Sequence, residues 1–136
     1  MIKVTNLVKS YKRKTVLNIS ELTIHDGEIF GLVGNNGAGK TTLLRLMLDL
    51  ISPDRGSVTS EIHVVARSEK WKDYTASYLD ESFLINYLTP EEFFGFIAEE
   101  YGLAPELTEA RLAGISEFLN GAALGQKTQI ISDFSR

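Results

Sequence analysis

Apolar positions in the first 24 residues recur every second or third place. Ile2, Val4 and Leu7-Val8 make one short alternating run, and Val16, Leu17, Ile19, Leu22 and Ile24 make a second, broken one. Between them, Ser10-Tyr11-Lys12-Arg13-Lys14 reads as a turn. Alternation with one polar face predicts two or three antiparallel strands. Asp26-Gly27 is a turn signal. The run Glu28–Val33 is different. Ile29, Phe30, Leu32 and Val33 are nearly continuous, the pattern of a strand covered on both faces. A loop with three glycines follows from Gly34 to Gly39. Lys40–Leu50 then predicts a helix, with Leu43, Leu44, Met47 and Leu48 at helical spacing. Ser52-Pro53-Asp54-Arg55-Gly56 ends it in a turn.

The pattern weakens from Ser57 to Tyr78. Ile62, Val64 and Val65 predict a strand, Arg67–Asp73 is polar apart from Trp71, and Tyr74–Leu79 predicts a further strand. Helical spacing then takes over. Thr89-Pro90-Glu91-Glu92 is a capping box, with Thr89 at N-cap, Pro90 at N1 and Glu92 at N3. Phe93, Phe94, Ile97 and Tyr101 form the apolar stripe of that helix, and Gly102 stands at C′. Thr108 is placed to cap another helix carrying Leu112, Ile115 and Leu119, which Gly121 stops. The order predicts a β and core region over 1–82 and a helical subdomain over 83–136.

Composition narrows the class. The chain has 136 residues, 43% of them apolar and 24% charged, which excludes disordered, collagenous and coiled-coil readings. A net charge of -4 argues against nucleic acid bound through a basic face. There is no cysteine, so a disulfide scaffold, a thiolate nucleophile and a Cys-ligated zinc are excluded. The two histidines, His25 and His63, lie far apart in sequence. No stretch approaches the ~20 apolar residues of a membrane helix, and the N-terminus lacks the apolar run of a signal peptide. A soluble, cytoplasmic protein is expected.

Chemistry concentrates in one loop. Gly34-Asn35-Asn36-Gly37-Ala38-Gly39-Lys40-Thr41 matches G-x-x-x-x-G-K-[ST] between an apolar strand pattern and a helical one. A polyphosphate needs many donors close together, and backbone N–H groups supply them if the chain curls around the anion. Gly34, Gly37 and Gly39 give the room and the backbone angles for that curl. The helix beginning at Lys40 aims its free N–H groups and positive dipole end at the phosphates. Lys40 adds a full charge for the β- and γ-phosphates, and Thr41 a hydroxyl oxygen for Mg²⁺. The motif alone leaves small GTPases, nucleotide kinases and recombination-type ATPases open.

The flanks separate these. The run from Gly34 to Leu46, the segment Ser52–Ser57, and the opening Val4-Thr-Asn-Leu-Val-Lys-Ser-Tyr11 with Thr15–Ser20 resemble the ATP-binding cassette (ABC) family. The likeness covers essentially the whole chain, weakly between Thr59 and Lys72, and is greatest to the ATP-binding subunits of transporters, with a non-transport ABC ATPase or a non-hydrolysing nucleotide-binding or interaction fragment as the alternatives. It implies an α/β fold of P-loop NTPase type, with an antiparallel β subdomain, a strand–P-loop–helix core and a helical subdomain. It implies ATP and Mg²⁺ as ligands, bound by residues 34–42. Thr42 then helps hold the α-phosphate, and Tyr11 stands where the family stacks an aromatic ring on adenine. Ser77-Tyr78-Leu79-Asp80-Glu81 resembles the family's Q-loop. Glu81 falls on the Gln position, where it accepts from a Mg²⁺-bound water, and Asp80 replaces the usual proline.

The resemblance also implies partners: a transmembrane permease subunit and a second nucleotide-binding subunit, with ATP at their interface. The protein would then sit on the inner face of the membrane through its permease. Ile131-Ser-Asp-Phe-Ser-Arg136 resembles the approach to the signature motif, with Phe134 and Ser135 its first two positions and Arg136 in place of a glycine. In the family the Walker B strand, catalytic glutamate and switch histidine lie beyond this point. A truncated chain lacking the second half of the core sheet is therefore expected, one that binds ATP with little turnover.

Overall fold

In a computed structural model, residues 1–80, 84–115 and 130–131 are described. The chain divides into two compact units, Met1–Leu79 and Asp80–Arg136.

The first unit is built on a long hairpin. Strand β1 (Ile2–Tyr11) pairs antiparallel with β2 (Lys14–Ile24), from Ile2 opposite Ile24 to Tyr11 opposite Lys14. Lys12 and Arg13 form the two-residue turn, both with left-handed φ of 47° and 68°. That geometry matches the twist of the strands, and a non-glycine residue adopts it at a cost of about 1 kcal/mol. On its other edge β1 pairs with β3 (Arg55–Ser60), which pairs in turn with the short β4 (His63–Val64), giving the order β2-β1-β3-β4. β3 arises in a segment whose sequence pattern predicts only a turn and weak order. Its pairing with β1 supplies what its own apolar content does not.

Val4 and Leu7 are both fully buried, although three residues apart. Strict alternation would send them to opposite faces. A bulge between Thr5 and Val8 resets the phase, with Asn6 at φ 47°. Opposite it, Gly56 (φ 80°) lies so close that a Cβ would fall 2.2 Å from the Asn6 carbonyl oxygen.

Helix α1 (Lys40–Met47) covers the sheet with Leu43 and Leu46, which join Val4, Leu7, Leu17, Val58, Val65 and Trp71 in one core. Leu44, placed by spacing on the apolar stripe, is exposed. Burial of each Leu or Val there contributes roughly 1.5–3 kcal/mol. Two short 3₁₀ turns, Val65–Arg67 and Lys70–Tyr74, follow β4. Trp71 is 4% exposed, and its indole N–H donates to the Val65 carbonyl at 3.1 Å. The strand predicted over Tyr74–Leu79 does not form. Its first residue belongs to the second 3₁₀ turn, and the rest has no ladder partner among the described residues.

In the second unit, α2 (Pro90–Glu100) opens on the expected capping box. Thr89 Oγ1 accepts from the Glu92 N–H at 3.3 Å, and the Glu92 carboxylate accepts from the Thr89 N–H at 2.8 Å. Its C-terminus closes at Gly102 (φ 61°), where Gly102 N–H donates to Glu99 and Leu103 N–H to Ala98. Of the residues predicted to form its apolar stripe, Ile97 and Tyr101 are exposed, whereas Ala98 is buried. Helix α3 (Pro105–Ile115) begins three residues before Thr108. The Thr108 hydroxyl instead donates back to the Ala104 carbonyl. Gly121 lies outside the described residues.

Candidate nucleotide-binding site

The approach to the loop departs from expectation. Glu28–Val33 is not a strand. Ile29 is 100% exposed and Val33 94%. A strand with two apolar faces needs parallel neighbours on its edges, because its backbone N–H and C=O groups must be paired before its faces can be covered. Beyond the turn bond from the Glu28 N–H to the His25 carbonyl, no ladder partner for this segment exists among the described residues.

The loop itself is ordered by short-range bonds and one close approach. Ala38 N–H donates to the Asn35 carbonyl at 3.1 Å, closing a turn through Asn36 and Gly37, the latter at φ 81°. Gly39 has φ 90° and is the N-cap of α1. A Cβ there would meet the Val16 carbonyl oxygen at 2.5 Å, so a side chain at 39 would force the loop off β2. A groove of about 270 Å³ runs along this junction, lined by Val16, Leu17, Leu32, Ala38, Gly39 and Lys40 among others.

Being glycine, the N-cap offers no side-chain acceptor to the first-turn amides of α1. These amides have no carbonyl to bond within the helix and carry its positive dipole end. Lys40 curls back, with Nζ donating to the Gly34 carbonyl at 2.5 Å and the Asn35 carbonyl at 2.9 Å. Thr41 is exposed and Thr42 half-buried in the same turn. Uncapped first-turn amides beside a primary ammonium fit a polyphosphate. One exposed hydroxyl oxygen beside it fits Mg²⁺, which takes few protein ligands and completes its shell with phosphate and water.

Tyr11 stands at the end of β1, 47% exposed. It pairs with Lys14, two residues before Val16, whose carbonyl lies against Gly39. Lys9 Nζ lies over its ring, 5.5 Å from the centroid. The structure thus brings residues 34–42 and β2 together. Glu81, Phe134, Ser135 and Arg136 lie outside the described residues. Sequence reasoning did not single out Val16 or Lys9. No local signal marks Val16, since its carbonyl acts through a contact distant in sequence. Lys9 carried a weak one, a lysine two places before the aromatic residue on a strand.

The G-x-x-x-x-G-K-[ST] loop seated on a helix N-terminus is that of a P-loop nucleotide-binding fold. The ABC transporter family model matches residues 17–135. The chain belongs to that family. It is 34% identical over 123 residues to a lipoprotein-releasing system ATP-binding protein of Bacteroides thetaiotaomicron, covering 90% of this chain and 50% of that one. It is 31% identical over 120 residues to a linearmycin resistance ATP-binding protein of Bacillus subtilis, covering 88% and 39%. A zinc import ATP-binding protein of Hydrogenovibrio crunogenus is 51% identical over 59 residues, 43% of this chain and 23% of that one. The solved ATP-binding subunit of an ABC transporter superposes with a TM-score of 0.75 at 29% identity, covering 86% of this chain and 49% of the other. A dimeric ATP-binding cassette with ADP and Pi shares the fold, with a TM-score of 0.69 at 22% identity. The matched part spans half or less of each curated relative. Among the described residues no helix is long and apolar enough to cross a membrane.

Proposed function

We propose that this chain is the nucleotide-holding part of a transporter's ATP-binding subunit. It binds MgATP and works through a separate membrane permease and a second nucleotide-binding subunit, peripheral to the inner face of the membrane. The observation supporting this is the Lys40 ammonium beside uncapped first-turn amides on a loop that only glycine can seat against β2. Bound MgATP supplies the phosphoryl group whose transfer to water releases the energy.

The chain's own residues bind and orient. The amides of residues 35–42 other than Ala38, whose N–H is held by the Asn35 carbonyl, and the α1 dipole hold the phosphate oxygens. Lys40 exchanges its two loop carbonyls for β- and γ-phosphate oxygens. Thr41 gives its hydroxyl to the cation, Thr42 supports the α-phosphate, and Tyr11 offers a ring face to adenine. Glu81 accepts from metal-bound water. Among the described residues, the groove beside Lys40 is lined by no Asp, Glu or His. In this reading the group that positions the attacking water comes from outside that groove.

Isothermal titration with MgATP tests the reading. Lys40→Ala removes a charge-assisted contact of about 1.5–3 kcal/mol, so affinity is expected to fall roughly 10- to 100-fold. Unchanged affinity would overturn the assignment. Phosphate release by residues 1–136 is expected to be near background. Sustained turnover that disappears in Lys40→Ala would show that residues 1–136 supply a water-activating group of their own.

A further inference from the structure

Lys9 is held more firmly than a strand-end lysine needs to be. Its Nζ donates to the Ser52 carbonyl at 2.7 Å, lies 3.5 Å from Asp54 Oδ1 and sits over the Tyr11 ring. Its side chain is only 16% exposed. Asp54 is fixed in turn. Its N–H donates to the Val8 carbonyl at 2.9 Å, and its Oδ2 accepts from the Ser10 N–H at 2.7 Å. The turn after α1 therefore grips the end of β1 on both sides of Lys9, and the ammonium passes that grip to the ring.

We propose that Lys9 is a positioning residue for base recognition: it occupies one face of Tyr11, so that a purine is received on the opposite face alone. This rests on the reading of Tyr11 as the base-stacking residue. Two physical effects favour it. A half-exposed tyrosine that is already ordered loses less rotamer freedom when a base stacks on it. A cation over one face of an aromatic ring is attracted by its π density. By drawing that density toward itself, it makes the opposite face a better partner for an electron-rich purine. Lys9 does not touch the nucleotide. It acts through Tyr11, and Ser52 and Asp54 act through Lys9.

The experiment is isothermal titration of MgATP and of magnesium tripolyphosphate at ~0.15 M ionic strength, which screens long-range charge effects. The proteins are wild type, Lys9→Met, Lys9→Arg, Tyr11→Ala and the Lys9→Met/Tyr11→Ala pair. Lys9→Met is expected to weaken MgATP about two- to fivefold and to leave tripolyphosphate unchanged. Lys9→Arg is expected to lose less MgATP affinity than Lys9→Met, because a guanidinium keeps a cation over the ring. In the Tyr11→Ala background, Lys9→Met has no further effect. Equal weakening of both ligands, or effects that multiply in the double variant, would overturn the proposal. If Tyr11→Ala leaves the ratio of the two affinities at its wild-type value, the stacking reading itself fails. If that ratio falls in Tyr11→Ala but not in Lys9→Met, only the role of Lys9 fails. Should Lys9→Met not fold, Asp54→Asn serves in its place. It keeps an acceptor for Ser10, removes the charge partner of Lys9, and is expected to give a smaller loss confined to MgATP. An Asp54→Asn loss shared by both ligands, or no loss at all, would overturn the proposal.

Discussion

Strand β1 and the segment Glu28–Val33 both carry the apolar pattern of a strand, yet they end in opposite conditions. β1 is hydrogen-bonded along both edges, and Val4 and Leu7 are sealed in the core. Glu28–Val33 has no ladder partner among the described residues, and Ile29 and Val33 face solvent. Apolar content therefore states what a segment requires, and only pairing decides whether the requirement is met. β1 finds its first partner two residues away across the Lys12-Arg13 turn. A segment with two apolar faces needs parallel neighbours, which a short turn cannot deliver.

This contrast is open to test. Leu7→Ala empties a fully buried site and is expected to cost about 2–5 kcal/mol in urea unfolding followed by far-UV circular dichroism. A cost below about 1 kcal/mol would mean that the β1 core is looser than its burial implies. Gly39→Ala joins the two regions. It places a methyl against the Val16 carbonyl at a left-handed position, adding about 1–2 kcal/mol of backbone strain to the steric clash. Loss of MgATP binding with a smaller drop in stability than Leu7→Ala is expected, and titration alongside unfolding would show it. Thr89→Ala removes a locally closed cap and is expected to cost about 1 kcal/mol in the second unit. It should leave MgATP affinity unchanged. At the bottom of the scale, Ile29→Ala is expected to stay within about 0.5 kcal/mol of wild type. Hydrogen exchange should find the amides of 29–33 nearly unprotected while those of β1 exchange slowly. Protection there would show that the segment has a partner.

What the sequence revealed follows the reach of each interaction. The capping box at Thr89 and the stop at Gly102 are written within four residues, and both are present. The loop is equally local, and the left-handed angles at Gly37 and Gly39 are those that its glycines imply. The antiparallel hairpin is visible in the alternation around it. Other features depend on contacts distant in sequence. The inward turn of both Val4 and Leu7 hangs on a bulge opposite Gly56, which no alternation rule contains. β3 carries few apolar residues and exists through its pairing with β1. Of the residues that spacing names on this helix, Leu43 is buried and Met47 and Leu48 pack against the core, whereas Leu44 is exposed and the unnamed Leu46 is buried in its place. At the site, residue types were legible from the motif. The close approach of Gly39 to Val16 and the seating of Lys9 were not, because each partner lies more than 20 residues away.

The burial of Trp71 has a practical consequence. It is the only tryptophan in the chain, and it is packed in the core of the first unit with its indole N–H bonded to a backbone carbonyl. Excitation at the red edge of protein absorbance would therefore report on that unit alone. The tyrosines and helices of the second unit would stay silent in such a signal. The melting of the first unit can thus be followed by itself within the whole chain. A midpoint from tryptophan emission that differs from the one given by helical ellipticity would measure how far the two units unfold independently.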